Sequence, residues 1–335
     1  MSHFSVSVIV PHDYSNSHVT ANDIENCLHR ILAPYDEQTE EAEYREFEDR
    51  TDEAKADYET DTMRVIRYPD GTIRSIYDRI FTDKFYIHED VIYQYGAEKS
   101  IADKLQTEES KALELVNDYP VKAWYASFEA YCEEHRGYIQ DSEGLWGYTY
   151  NPNAKWDGWQ IGGRFSRNFL VKEDLEDCII SYDRSSGEPD GAPKGHKYVD
   201  AARKKDICWD LMKQLTVEEV EKGYQKCVAA FASNDPTGFG PLTKIVEDGI
   251  ASWGSMIYLK GETLKARKGA TDMDQYMISS FAAIDRNGDW LGSGDMGWFG
   301  ISTNDKEERA WNDELQTLMN EAQDDDFLVV VDCHI

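Results

Sequence analysis

Residues 327–335 read FLVVVDCHI, from Phe327 to Ile335. An apolar run of this length, free of Gly and Pro, suits a strand buried on both faces at the centre of a sheet. Its counterpart stands at the other end of the chain. There Phe4, Val6, Val8 and Val10 alternate with Ser5 and Ser7, the period of a half-buried strand. The opening MSHFSVSVIVPHD has neither a basic n-region nor a small-residue cleavage site, so it reads as a first strand and not as a signal peptide. Strands at both ends with helices between them predict a single α+β domain over 1–335. Its sheet is expected to be mixed or antiparallel, with the N- and C-terminal strands together in it and helices packed around it.

Working inward, Thr20 or Asn22 caps a helix whose Ile24, Leu28 and Ile31 share a face and which must stop near Pro34. Asp36 to Asp61 is dominated by acids, with Arg45, Arg50 and Lys55 opposing them. It reads as an acidic solvated helix or a mobile insertion within the domain. MRVIRYPDGTIRSIYD turns at Pro69-Asp70-Gly71 and predicts a hairpin. Two or three helices are expected between Glu98 and His135, and an exposed loop from Asp183 to Gly195. Thr216 and Glu219 form a capping box at the start of another helix. A further helix is expected over Pro241 to Ser252. Asn287-Gly288 marks a second hairpin, and residues 305–322 are amphipathic, carrying Trp311, Leu315 and Leu318.

Lys and Arg number 35 against 65 Asp and Glu, a formal net charge of −30. Such a charge repels polyanions, so direct nucleic-acid binding is not expected. No run approaches eighteen apolar residues, so no membrane span is expected. The six cysteines show no CxxC spacing and read as reduced thiols of a cytoplasmic protein. Walker, GxSxG and HExxH patterns are absent from the sequence, which implies no cofactor.

The candidate binding segment is YTYNPNAKWDGWQIGGRF, Tyr148 to Phe165. Trp156 and Trp159 offer π-faces for stacking a base, assisted by Tyr148 or Tyr150. Gly162 and Gly163 permit close backbone approach and an amide nest for an anion. Arg164 supplies a bidentate grip on phosphate or carboxylate, with Lys155 and Arg167 adding charge. The competing bland reading makes the tryptophans core and pairs Arg164 with a carboxylate. SGDMGWFG, Ser293 to Gly300, adds Trp298 and Asp295 as candidate ligand contacts. Asp285 to Trp290 starts like a calcium loop, but Met296 stands where its bidentate Glu belongs. In DCHI, Asp332 and His334 share a strand face, and His3 joins them if the terminal strands pair. The Asp332/His334 pair alone falls short of the three or more convergent ligands that a zinc or di-metal site needs, so a structural or supporting role is expected and no metal.

MSHF, NPNAKWDGWQIGGRF and MGWFG…VVVDCHI together resemble an uncharacterised family of accessory proteins from tailed phages and prophages. The resemblance covers both ends and the centre, and brings no catalytic motif. It implies a bacterial host cytoplasm and a role against host defence. The expected function is sequestration of a small nucleotide-like immune signal, a cyclic nucleotide or an ADP-ribose derivative, as in Thoeris or CBASS signalling. The leaning is towards a binding protein and away from an enzyme, with a homo-oligomer compatible. Two alternatives stand beside it: a hydrolase that cleaves such a signal, and an acidic DNA mimic that occupies a host nuclease.

Overall fold

The computed structural model describes residues 2–96, 104–181, 191–240, 242–247, 249–252, 255–259, 278–297 and 301–335. They fall into two compact units, Met1–Tyr44 with Asn151–Ile335, and Arg45–Tyr150.

The first unit is built on a seven-stranded mixed sheet. Its strands in chain order are β1 (His3–Val10), β2 (Gly158–Ile161), β3 (Cys178–Ile179), β4 (Ala201–Arg203), β5 (Ala282–Ile284), β6 (Trp290–Gly292) and β7 (Phe327–His334). Across the sheet the order is β3-β4-β7-β1-β5-β6. β1 runs antiparallel to β7 along its whole length, from His3 opposite His334 to Val10 opposite Phe327, and parallel to β5. The other edge of β7 is divided. β4 takes Phe327 to Val329, and β2 takes Val331 to His334. β7 is therefore paired on both edges, as its apolar run predicts, and the fold is α+β with the two terminal strands side by side.

Strand alternation decides what each face of this sheet buries. Phe4, Val6, Val8 and Val10 of β1 and Val329, Val331 and Cys333 of β7 face helix α1 (Ile24–Leu32), which contributes Ile24, Leu28, Ile31 and Leu32. On the opposite face, Ile9, Leu328 and Val330 pack with Trp311, Leu315, Leu318 and Met319. Those four belong to the Glu308–Glu321 helix. The paired strands Phe169–Lys172 and His196–Val199 complete that layer. Each fully buried Leu, Ile or Phe stabilises the unit by roughly 1.5–3 kcal/mol. Asn287-Gly288 does close the β5–β6 hairpin: Asp285 Oδ1 accepts from the amides of Asn287 and Asp289, so the calcium-like run is a turn.

The Arg45–Tyr150 unit carries the sheet of Thr62–Arg67 with Ile73–Ser75 and Glu114–Pro120, so the hairpin at Pro69-Asp70-Gly71 is present. Its core gathers Ala54, Val121, Tyr131, Cys132 and Trp146. Of the acidic stretch, Thr51–Thr60 is a helix that buries Thr51 and Ala54 and exposes most of its carboxylates.

Three expectations are corrected. The segment expected to be a helix over Pro241 to Ser252 holds the strands Thr243–Val246 and Gly249–Ser252, because β-branched Thr243, Ile245, Val246 and Ile250 favour extended backbone. Thr216 does not cap a helix start. The helix runs Trp209–Ser233, and the Thr216 hydroxyl donates back to Met212 O at 3.0 Å within it. Part of the helical region expected before His135 is the strand Glu114–Pro120. Among the described residues no helix is long and apolar enough to cross a membrane.

Candidate functional site

The second face of the sheet changes character along its length. Near Ile9, Leu328 and Val330 it is apolar and covered. Towards the other end of the same two strands it presents His3, Ser5, Asp332 and His334. Register makes this cluster: His3 lies opposite His334 and Ser5 opposite Asp332, while β2 sets Gly158 against His334 and Gln160 against Asp332. One period-two pattern thus supplies a hydrophobic core and a polar site from one pair of strands.

Two imidazole–carboxylate pairs stand side by side here. His3 Nδ1 lies 2.8 Å from Asp332 Oδ1, and His334 Nδ1 contacts Asp157 Oδ1 without hydrogen-bond alignment. The two imidazole rings are 5.6 Å apart, centroid to centroid. Asp332 is completely buried, whereas the His3 and His334 side chains keep 17% and 34% exposure and Asp157 keeps 35%, so both rings reach solvent and the carboxylate of His3 does not. An ionised carboxylate only accepts, so with Asp332 ionised and His3 neutral the hydrogen sits on Nδ1 and Nε2 keeps a lone pair. His334 fits where it does because β2 has no side chain opposite it. A Cβ on Gly158 would fall 2.6 Å from His334 Nε2.

The turn after β2 is tied to the same cluster. Gly162 and Gly163 adopt positive φ, +68° and +52°, and the Gly163–Phe165 turn follows. The Arg164 amide donates to Asp332 Oδ2 at 2.9 Å. A second buried carboxylate, Asp200, accepts from the Arg167 amide and from the amide and hydroxyl of Ser181 at 3.0 and 2.8 Å. Burial pushes the Asp200 carboxyl up, against the pull of those donors. A Cβ on Gly162 would lie 2.1 Å from Ser181 Oγ, and one on Gly163 would lie 2.4 Å from Asp332 Oδ2. Both glycines are therefore needed for close approach, as their sequence suggests, and what approaches the turn is the chain's own Asp200 and Asp332.

The other candidates are dispersed. Trp156 is 1% exposed in the α1-side core, against Phe4, Tyr35 and Trp290. Trp159 packs against the same core and meets His29 edge-on at 4.9 Å. These two rings lie on the α1 face, opposite the face of Gln160, Asp332 and the Gly163 turn. Arg164 has an exposed side chain, and Lys155 is half-buried. Among the described residues neither cationic group forms a hydrogen bond or ion pair. Tyr150 belongs to the Arg45–Tyr150 unit, where it meets Tyr148 edge-on. Asp295 is exposed on a short two-stranded hairpin and accepts from Asn304 Nδ2 at 2.8 Å. Trp298 lies outside the described residues. A cleft of about 200 Å³ lined by Lys204, Trp209, Leu315 and Met319 contains no acid–base pair.

Sequence reasoning placed His3, Asp332 and His334 on one face but gave them only a supporting role, and it passed over Asp157 and Gln160. Their signal is weak: both belong to WDGWQ, where aromatic residues dominate, and only pairing with β7 reveals what they touch. Among the described residues, no three His, Cys, Asp or Glu groups converge as metal ligands would. No family model, curated protein or solved structure matches this chain.

Proposed function

We propose that the chain is a hydrolase of small phosphorylated, nucleotide-like molecules, with His3 and His334 exchanging protons at the end of the β1–β7 pair. The observation that carries this reading is the juxtaposition of two imidazole–carboxylate pairs whose rings are 5.6 Å apart and partly open to solvent. In the reaction a water oxygen bonds to phosphorus as its proton passes to one imidazole. The P–O ester bond breaks, and its departing oxygen takes a proton from the other. The sum is phosphodiester plus water giving a phosphomonoester and an alcohol or, for a pyrophosphate diester, two phosphomonoesters. Positioned groups of this kind each contribute typically 10²–10⁴-fold. The resemblance to phage and prophage accessory proteins supports a nucleotide immune signal as substrate, removed in the host cytoplasm.

The test is to incubate the protein with cyclic nucleotides, linear dinucleotides and ADP-ribose derivatives, denature it, and analyse what is released. Cleaved product from the wild type, with binding but no cleavage by His3→Gln and His334→Gln, is the expected result. Stoichiometric release of intact ligand from the wild type would replace hydrolysis by sequestration, for which exposed Arg164 and unpaired Lys155 are the supporting features. Neither binding nor cleavage of any of these would sink the reading.

A further inference from the structure

Asp332 is the one side chain shared by the imidazole pair and the turn. Its Oδ1 faces His3 Nδ1 at 2.8 Å, while Oδ2 accepts from the Arg164 amide at 2.9 Å and from Gln160 Nε2 at 3.3 Å. Among the described residues no Lys or Arg side chain pairs with it, although the carboxylate is completely buried. A carboxylate is the only side chain of this size that accepts on both oxygens.

We infer that Asp332 is a positioning residue that couples proton transfer to anion recognition. One oxygen holds His3 with Nδ1 protonated and Nε2 available, and the other fixes the turn that presents Arg164. The inference rests on the acid–base reading above and assigns the contact to its phosphate. Arg164 is exposed and unpaired in a chain where 35 cations face 65 carboxylates. A guanidinium left without a carboxylate in that company, anchored through its amide to the partner of a catalytic imidazole, matches a phosphate. The bond broken is therefore one at phosphorus, in a phosphodiester or pyrophosphate, and not a neutral ester or amide.

Asp332→Asn separates the two couplings. If its NH₂ faces His3, the ring must accept at Nδ1 and protonate at Nε2. If its NH₂ faces the turn, two donors oppose the Arg164 amide. The measurement is ¹⁵N NMR of the imidazoles and of the Arg164 amide, with titration by inorganic phosphate. In the wild type, His3 is expected to carry its proton on Nδ1, and phosphate is expected to shift both imidazoles and the Arg164 amide. Asp332→Asn and Arg164→Ala should each weaken phosphate binding by about tenfold or more.

Wild-type phosphate affinity with an unchanged His3 tautomer in Asp332→Asn would overturn the coupling and leave the histidine chemistry standing. Wild-type signals unmoved by phosphate would remove the phosphoryl substrate, and with it the proposed hydrolysis. Should Asp332→Asn fail to fold, the wild-type tautomer still decides, since protonation at Nε2 excludes an orienting Asp332. Gly163→Ala then serves as the second variant. Its methyl, placed 2.4 Å from Oδ2 and 2.6 Å from Cβ of Asp332, forces the turn and Asp332 apart without touching His3. It should weaken phosphate binding without changing the tautomer, and unchanged binding by a folded Gly163→Ala counts against the coupling.

Discussion

The two ends of the β1–β7 pair carry the same couple of residues in opposite states. At one end His3 meets fully buried Asp332, and at the other His12 Nδ1 lies 3.1 Å from fully buried Asp326. Asp326 is closed off by other donors: the amides of His12 and Gln323 and, at 2.9 Å, the guanidinium of Arg286. Beside it Arg203 is 5% exposed, bonded to Asp177, Asp325 O and Val19 O, and stacked 4.5 Å from the Phe327 ring. That end is a saturated network joining four segments of chain. At the His3 end no guanidinium neutralises the carboxylate among the described residues, and two imidazoles face outward. A histidine–aspartate pair says little by itself; whether its charge is already satisfied separates a fastening from a site.

The comparison breaks most visibly on activity. His3→Gln or His334→Gln should lower turnover by two to four orders of magnitude while His12→Gln leaves it unchanged. Equal losses from all three would erase the distinction. Next in size is stability. Asp326→Ala leaves the His12 and Gln323 amides without that acceptor and Arg286 with Asp13 alone, and should cost about 1–3 kcal/mol in urea unfolding.

The same network predicts a pH dependence. Burial works to raise the Asp326 carboxyl, but the His12 and Gln323 amides and Arg286 outweigh it and hold it below the usual carboxylate range. A depressed folded-state value means stability that is fully present above the unfolded-state value, near 3.9 for Asp. That stability is lost as pH falls further through the folded-state value. Unfolding measured from pH 7 down to pH 2 should show Asp326→Asn losing less than the wild type below about pH 4. Parallel curves would contradict the assignment.

Smaller again, Gly158→Ala should reduce turnover about tenfold by moving the His334 ring, with an overpacking cost of about 1–3 kcal/mol. A circular dichroism melt separates that from unfolding. Least of all, His12→Gln should cost about 1 kcal/mol, since Asp326 keeps its other donors.

The terminal strands, helix α1, the amphipathic helix at Glu308–Glu321 and the Asn287-Gly288 hairpin were legible in the sequence because periodicity and turn chemistry are local signals. Residues 243–252 were misread where a short apolar stretch fits either period. The site was half legible. Alternation puts Asp332 and His334 on one face, and pairing of the ends adds His3. Trp156 and the Gly162-Gly163 step, by contrast, advertise a ligand by residue type alone. Whether an aromatic or an amide nest faces solvent or the chain's own Phe4 and Asp332 depends on partners far away in sequence, which composition does not record.

That distance has a kinetic side. His3 and Asp332 are separated by 329 positions in the chain, yet they sit on adjacent central strands. During synthesis, β1 emerges before the rest of its sheet and waits with one edge bare, while β4 has no strand to join it to β1. Closing so long a loop is entropically expensive and slow. β7, made after the other six strands of this sheet, is thus the one that fuses its halves and, in the same event, brings His3, Asp157 and His334 together. An interrupted chain that stops before Phe327 has no partial version of this cluster, so it forms all at once.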